Sequence, residues 1–379
     1  MRRTLIAFPG SLLAALLIAF ASLCAPAAPA SAQFSVPSDG SDGAFNPTSN
    51  ITIDLGTAKT APWNTPADYN LQGVYDPEQW FVVYKFTSVN IPAGVTVTFK
   101  NHPKNPPVVW LVQGDVTING TIELVGQLPF SVFAKGGPGG FRGAWHGYGG
   151  PYTNHFGWGA SVPGNAGCFP LIGGRGGVNG YYGGCGGGGA ILVASNTRIT
   201  GGGTINASGN SYYGPAGGGG MVRLVAPSTA LYALYATGGS AGRIRIEANS
   251  VQIGVTDPPY SAASLPTNFV FLRDTSTPAI RVVSIGGVAA PTDPTGAFAS
   301  PTDVVVPSEA VQIVLECKNV PANATVQVEL RSATNATYSL LNATFQSGDL
   351  GQSTWVATGN LGTGLGYATV MARAVLPSP

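Results

Sequence analysis

The sequence predicts an all-β protein: a right-handed parallel β-helix (a solenoid) followed by an immunoglobulin- or fibronectin-like β-sandwich. Three observations predict it. Only 9% of the 379 residues are charged, whereas 54 are glycine and 30 proline, which leaves little raw material for helices. Thr, Val and Ile alternate in short runs punctuated by glycine, the pattern of strands and turns. These runs recur at a solenoid-like period until the composition changes near Pro278. A sandwich or barrel of repeated antiparallel hairpins is the competing reading.

Residues 1–32 read as a signal peptide. Arg2 and Arg3 precede an apolar stretch, and Ala30-Ser31-Ala32 is a small-residue cleavage pattern. Cys24 follows the bulky Leu23, which argues against a lipoprotein site. Cleavage after Ala32 leaves 347 residues, room for two domains. Their 16 basic and 17 acidic side chains make no footprint for nucleic acid or anionic membrane. No later stretch approaches the ~20 apolar residues of a membrane span. The expectation is a secreted or cell-surface protein.

Residues 33–75 are rich in Gly, Pro, Ser and Asp and read as an N-terminal cap segment, with one strand-like run at 51–55. The glycine-rich β-helix is placed at 76–255. Four segments there stack: VVWLVQGD from Val108, AILVASNT from Ala190, MVRLVAPS from Met221 and RIRIEANS from Arg243. Val109, Ile191, Val222 and Ile244 form one aliphatic column, and Leu111, Val193, Leu224 and Ile246 another. Side chains alternate across a strand, so these columns face a core and the variable residues between them face out. The second strands align Ile122, Ile205 and Leu234, and each closes on a glycine, at 126, 209 or 238. Val222 to Ile244 spans 22 residues, one period. Val109 to Ile191 spans 82, so an insertion or a degenerate coil occupies about 127–186. A linker at 256–277 leads to longer strands at 278–379, with Trp355 as a core residue of the sandwich.

Function is sought in the insertion, because loops on a rigid scaffold carry it. Trp145, Tyr148, Tyr152, Trp158, Tyr181 and Tyr182 offer amphipathic rings that could stack on sugars. The plainer alternative is that they glue a glycine-rich loop to the solenoid flank. Arg223 and Arg245 share an outward column and could form a basic stripe for anionic polysaccharide, against a merely solvated outer face. Export favours disulfides, and Cys168 and Cys185 bracket a segment too glycine-rich to hold itself by burial, so they are expected to pair. Cys317 is expected to be a small buried hydrophobe.

The acids are more decisive. None lies between Glu123 and Glu247, so the middle coils offer neither the paired carboxylates of glycoside hydrolysis nor clustered ligands for calcium. A hydrolase or lyase would have to build its site from Asp115, Glu123 and Glu247. His146 and His155 stand nine residues apart, with only His102 elsewhere, a weak metal or base signal. There is no CxxC. The run GGCGGGGA lacks the Lys-Ser/Thr of a phosphate loop and precedes a strand. No metal, cofactor or catalytic residue is expected.

The coils GGGGAILVASNTRITGGGTINASGN and GGGGMVRLVAPS, with DVTINGTIELVG, resemble the glycine-rich β-helical repeats of secreted bacterial surface proteins and adhesins, and GRIRIEAN followed by IRVVSIGGVAAPTDPTG resembles the tail of a group of exported bacterial proteins. The resemblance covers roughly residues 40–300, and its motifs are structural. Regular coils, an aromatic and glycine-rich insertion, an acid-free centre and a terminal sandwich make the expectation an exported, non-catalytic β-solenoid that binds glycan or matrix or builds cell-surface structure, the alternative being a polysaccharide lyase or glycoside hydrolase on the same scaffold. Pectate lyases and polygalacturonases share the expected fold, but their Asp clusters have no counterpart here, and no active-site residue carries over.

Overall fold

Alternating runs this rich in β-branched residues should give strands, and the computed structural model is all-β, with parallel sheets. It describes residues 34–127, 134–143, 167, 168, 170–177, 184–211, 216–267, 269, 271, 272, 278–292, 303–332, 339–361 and 368–376. Its one helical element there is a single 3-10 turn, Leu55–Thr57.

The first seventeen strands are β1 (Ala44–Phe45), β2 (Ile51–Asp54), β3 (Lys59–Thr60), β4 (Val74–Asp76), β5 (Phe81–Phe86) and β6 (Ser88–Ile91). Then come β7 (Thr96–Lys100), β8 (Val108–Val112), β9 (Val116–Ile118), β10 (Thr121–Glu123), β11 (Ala190–Ser195) and β12 (Arg198–Asn206). The set closes with β13 (Met221–Val225), β14 (Ser228–Tyr235), β15 (Arg243–Glu247), β16 (Ser250–Asp257) and β17 (Ser261–Ala263). The chain alternates between two sheets. One runs β17-β15-β13-β11-β8-β5-β4-β3, all parallel except β4 against β5. In the other, β12 joins β9 through its first half and β10 through its second, then continues to β14 and β16. We call these the mixed-edge sheet and the ladder sheet. Strands therefore begin inside 33–75 and continue past residue 255 to Ala263.

Between the sheets lies one apolar core, to which both contribute: Val108, Trp110, Ile191, Val193, Val222, Leu224, Ile244 and Ile246 from one, Ile122, Ile199, Ile205 and Leu234 from the other. The second-strand column is as predicted, with Ile122 opposite Ile205 and Ile205 opposite Leu234. The first-strand column is right from Ile191 onward but slips at β8: Ile191 pairs with Val108 and Val193 with Trp110. A one-residue slip exchanges the faces of a strand. Trp110, expected to face out, is fully buried in the core, and Val109 and Leu111 face the other way. All five residues of VVWLV are apolar and buried, so alternation carries no register there.

The reason is a second apolar layer. The outer face of the mixed-edge sheet is covered, not solvated. Val83, Val109, Leu111, Leu192, Ala194 and Val225 pack there under Val36, Phe271 and the partly buried Phe34, Trp63, Leu265 and Phe269. Trp63 meets Phe271 edge-on at 5.1 Å, and Phe34 meets Phe269 at 5.9 Å. The N-terminal segment and the stretch after β17 thus seal one side of the molecule.

The glycine runs are an element in their own right. Segment 184–189 makes no strand, yet its groups are bonded outward in a three-residue rhythm. Gly186 and Gly189 donate to Gln127 and Leu124, Gly187 to Phe141 and Gly188 to Gly218. Its carbonyls repeat the rhythm: Cys185 and Gly188 accept from Gly177 and Gly174 of the same neighbour, and Gly187 accepts from Gly137. Segment 217–220 does likewise, with Gly217 and Gly220 donating to Asn210 and Ala207, Gly218 to Arg175 and Gly219 to Ser240. Bonding in three directions per three residues is what an extended helix of the polyproline II type gives, since it has no internal hydrogen bonds. The described parts of 127–186 therefore join 184–189 and 217–220 in a bundle of extended glycine-rich segments cross-linked by backbone hydrogen bonds beside the sheets. A Cβ at Gly143, Gly174, Gly176, Gly188 or Gly220 would run into a neighbouring carbonyl, so only glycine lets these backbones approach.

Beyond Ala279 the sheets are antiparallel. The strands are β18 (Ala279–Ile285), β19 (Val288–Ala289), β20 (Ala310–Lys318), β21 (Thr325–Ser332), β22 (Ser339–Asn342), β23 (Thr344–Gly348), β24 (Ser353–Asn360) and β25 (Ala368–Val375). They form β19-β18-β20-β24-β23 and β22-β21-β25, which share a separate core around Ile313, Leu315, Cys317, Val328 and Trp355. Trp355 is buried, its indole N–H donating to Ser353 Oγ at 3.0 Å. Cys317 is wholly buried, as expected.

Candidate functional surfaces

The pairing of β13 with β15 sets Arg223 beside Arg245, the row predicted for them. Their surroundings differ from the expectation. Arg223 is only 8% exposed and Glu247 7%. Arg223 holds Glu247 through Nε to Oε1 at 3.1 Å and Nη2 to Oε2 at 3.2 Å, a bidentate pair. Arg245 reaches the same Oε1 at 3.4 Å and the Ala262 carbonyl at 3.3 Å. Arg223 is therefore neither solvated nor free, because the apolar cover buries it and Glu247 takes up its charge, while Arg245 shares that carboxylate and stays about a fifth exposed. Glu247 is two residues beyond Arg245 in the chain, a spacing that puts both on one face.

The expected Cys168–Cys185 bridge is not formed; both are buried thiols. Cys168 packs against Ala190 and Met221 on the sealed face, while Cys185 belongs to the glycine bundle, where its carbonyl accepts the Gly177 N–H. The bundle holds its segments by backbone hydrogen bonds, so the premise for a staple fails. Burial pushes the Cys168 thiol up to about 12, outweighing the opposite pull of Arg223, Arg243 and Arg245. A thiol so protonated is no nucleophile at neutral pH.

Arg223 and Cys168 border a small cleft of about 30 Å³, whose walls include Trp80, Phe81, Pro107, Leu171, Leu192 and Phe271. Asp76 shapes its rim by accepting the N–H groups of Trp63, Glu78 and Gln79 at 2.9, 2.9 and 3.0 Å. Trp80, in the left-handed region at φ 55°, donates its indole N–H to the Lys104 carbonyl at 3.1 Å. The cleft is mostly apolar, its one charged side chain, Arg223, is held by Glu247, and it offers no acid–base pair.

The outer face of the ladder sheet is different, because nothing among the described residues covers it. Pairing sets uncharged polar side chains in rows: Asn90, Thr117, Thr200 and, beyond Ala230, Gln252 in one, and Thr96, Thr121 and Thr204 in another. Thr52 and Thr98 share a hydrogen bond at 2.8 Å, as do Asn90 and Asn46. Two cations there, Lys100 and Arg198, are paired. Lys100 meets Asp54 at 2.6 Å and Arg198 meets Asp115 at 2.6 Å. Hydrogen bonds from Thr197 and Arg198 hold the Asp115 carboxyl below its usual range, and that from Lys100 does the same for Asp54. Burial raises Glu123, although Asn206 donates to it at 3.0 Å.

The acids that a hydrolase or lyase would need are not brought together. Glu247 lies on the sealed face, and Asp115 and Glu123 lie on the open one in separate pairs. Along the row Glu123, Asn206, Tyr235, Asp257, the two carboxylates stand three strand spacings apart, about 14 Å. Glycosidases keep theirs about 5–9.5 Å apart. Among the described residues no three His, Cys, Asp or Glu side chains are grouped as metal ligands. His102 stacks on Tyr75 at 4.2 Å, its Nδ1 accepting the Lys104 N–H at 3.1 Å, and burial lowers its pKa.

Trp145, Tyr148, Tyr152, Trp158, Tyr181 and Tyr182 lie outside the described residues. The sequence reading missed the open face because it followed only the inward residues of the second strands, although Thr96-x-Thr98 and Thr204-x-Asn206 carry the outward signal. No helix among the described residues is long and apolar enough to cross a membrane. No family model, curated protein or solved structure matches the chain.

Proposed function

We propose that the chain is an exported, non-catalytic β-solenoid of the glycine-rich surface-protein kind that binds glycan or matrix at the cell surface. In this reading the two parallel sheets close into a right-handed β-helix. The two antiparallel sheets form an immunoglobulin- or fibronectin-like sandwich, a spacer or attachment module. One observation carries the reading: the outer face of the mixed-edge sheet is sealed by the chain's own aromatic segments, while that of the ladder sheet is left open by the described residues and presents rows of Thr and Asn. A scaffold that needed only to be inert would have no use for the asymmetry. The dispersed carboxylates argue against the hydrolase or lyase alternative.

The test is retention of the purified chain on a panel of polysaccharides, cell walls and matrix preparations, with assay of the soluble fraction for released reducing ends and unsaturated uronides. Binding without release is expected. Release of sugar that is lost in Glu247→Gln or Arg245→Ala would overturn the reading in favour of an enzyme, and retention on nothing in the panel would overturn it altogether.

A further inference from the structure

Resting on that reading, we infer that the open face of the ladder sheet is the binding surface, that its ligand is an uncharged linear polysaccharide lying across the strands, and that Tyr232 is its stacking platform. Tyr232 is 58% exposed. Leu231 and Ala233 pair with Ile253 and Val255, which sets Tyr232 opposite Gly254. A Cβ on Gly254 would sit 3.3 Å from Tyr232 Cδ2, so the ring leans over that glycine. On the other side, the irregularity between Gly201 and Thr204 leaves Gly202 and Gly203 facing it. Glycine on both neighbouring strands keeps the ring clear of flanking side chains, which is what a sugar face needs to lie on an aromatic one.

The chemistry of the surroundings selects the ligand. Thr and Asn side chains both donate and accept, as sugar hydroxyls do. The cations Lys100 and Arg198 are each held by a carboxylate, so the face has no charge to offer an anionic polymer. Nor has it the apolar centre of a protein interface, since hydroxyl and amide side chains predominate in the rows around Thr96, Thr117, Thr121, Thr200 and Thr204. Strands repeat about every 4.8 Å. A chain running across them meets the same row of groups at each rung, from Thr96 through Thr121 to Thr204, whereas one running along a strand meets each row once.

The experiment measures retention of the full chain on microcrystalline cellulose, chitin and a β-1,3-glucan, and on alginate and polygalacturonate, at low and high salt. Retention on at least one neutral polymer is expected, unchanged by salt. Tyr232→Ala should weaken it about tenfold, and so should the double variant Thr98→Val/Thr204→Val, with melting temperatures kept. Independently of any variant, a soluble oligosaccharide of the retained polymer should slow amide exchange in 198–206 and 228–235 of the wild-type chain. Retention only on the acidic polymers and lost in salt, or retention indifferent to both variants with no exchange protection, would overturn this inference while leaving a glycan binder. Retention on no polymer would overturn the reading beneath it.

Discussion

Arg223 and Tyr84 show how far a residue's type stands from its role. An arginine in an outward column of a β-strand is ordinarily solvated, yet Arg223 is buried and chelates Glu247. Breaking a buried ion pair from one side leaves an uncompensated charge, so Glu247→Gln should destabilise by about 3–5 kcal/mol in urea unfolding while leaving polysaccharide retention intact. Tyr84 is the converse. It is wholly buried in the core, and its hydroxyl finds no partner among the described residues. Removing an unsatisfied group can be neutral or stabilising, so Tyr84→Phe should match or exceed the wild-type unfolding midpoint; a drop comparable to that of Glu247→Gln would mean that the hydroxyl is bonded. The cysteines give a chemical check. With the Cys168 thiol pushed up to about 12 by burial, it stays protonated and unreactive in the folded protein at pH 8, where an ordinary thiol begins to ionise. The chain without residues 1–32 should show three alkylatable thiols when denatured without reductant, where a Cys168–Cys185 bridge would leave one.

At the scale of elements, the glycine bundle carries the clearest expectation. Gly188 sits where a Cβ would collide with the Ala207 carbonyl, whereas a Cβ on the exposed Gly202 would meet nothing nearer than Asn119 Oδ1 at 3.9 Å. Gly188→Ala should therefore push two hydrogen-bonded segments apart and speed proteolysis of the region around 134–189, while Gly202→Ala should leave the cleavage pattern unchanged. Equal behaviour of the two would contradict a close-packed bundle. Read along the chain, these glycines look like flexible punctuation. Their function as a packed element depends on neighbours dozens of residues away, such as Leu124 for Gly189, Phe141 for Gly187 and Gly218 for Gly188, and no local pattern encodes that. The strands were more legible. Ile122, Ile205 and Leu234 stack as their spacing foretold because one face of the ladder sheet is polar and the alternation is therefore informative. At Val108–Val112 both faces are apolar, and the register slipped by one.

For the whole molecule, the two apolar cores share no residue: one lies between the parallel sheets, the other between the antiparallel ones. Two unfolding transitions are expected by calorimetry. Trp355→Ala, which empties a site packed against Phe345 at 5.4 Å, should lower the stability of only one of them, by about 3–5 kcal/mol. A single transition shifted as a whole would mean that the halves fold as one unit.

The sequence by itself determined the all-β class, the inward column of the second strands and the change of character near Pro278, because each follows from local alternation and composition. The tertiary structure decided which face of VVWLV is inside, that Arg223 is neutralised, that Cys168 and Cys185 do not meet, and that one sheet is sealed while the other is left open. Those outcomes depend on what covers each face. The covering residues, Phe34 and Phe271 for one face and none among the described residues for the other, are far away in sequence from the strands they cover or expose. Periodicity reports that a residue faces out of a strand; only the packed chain decides whether water or protein is waiting there.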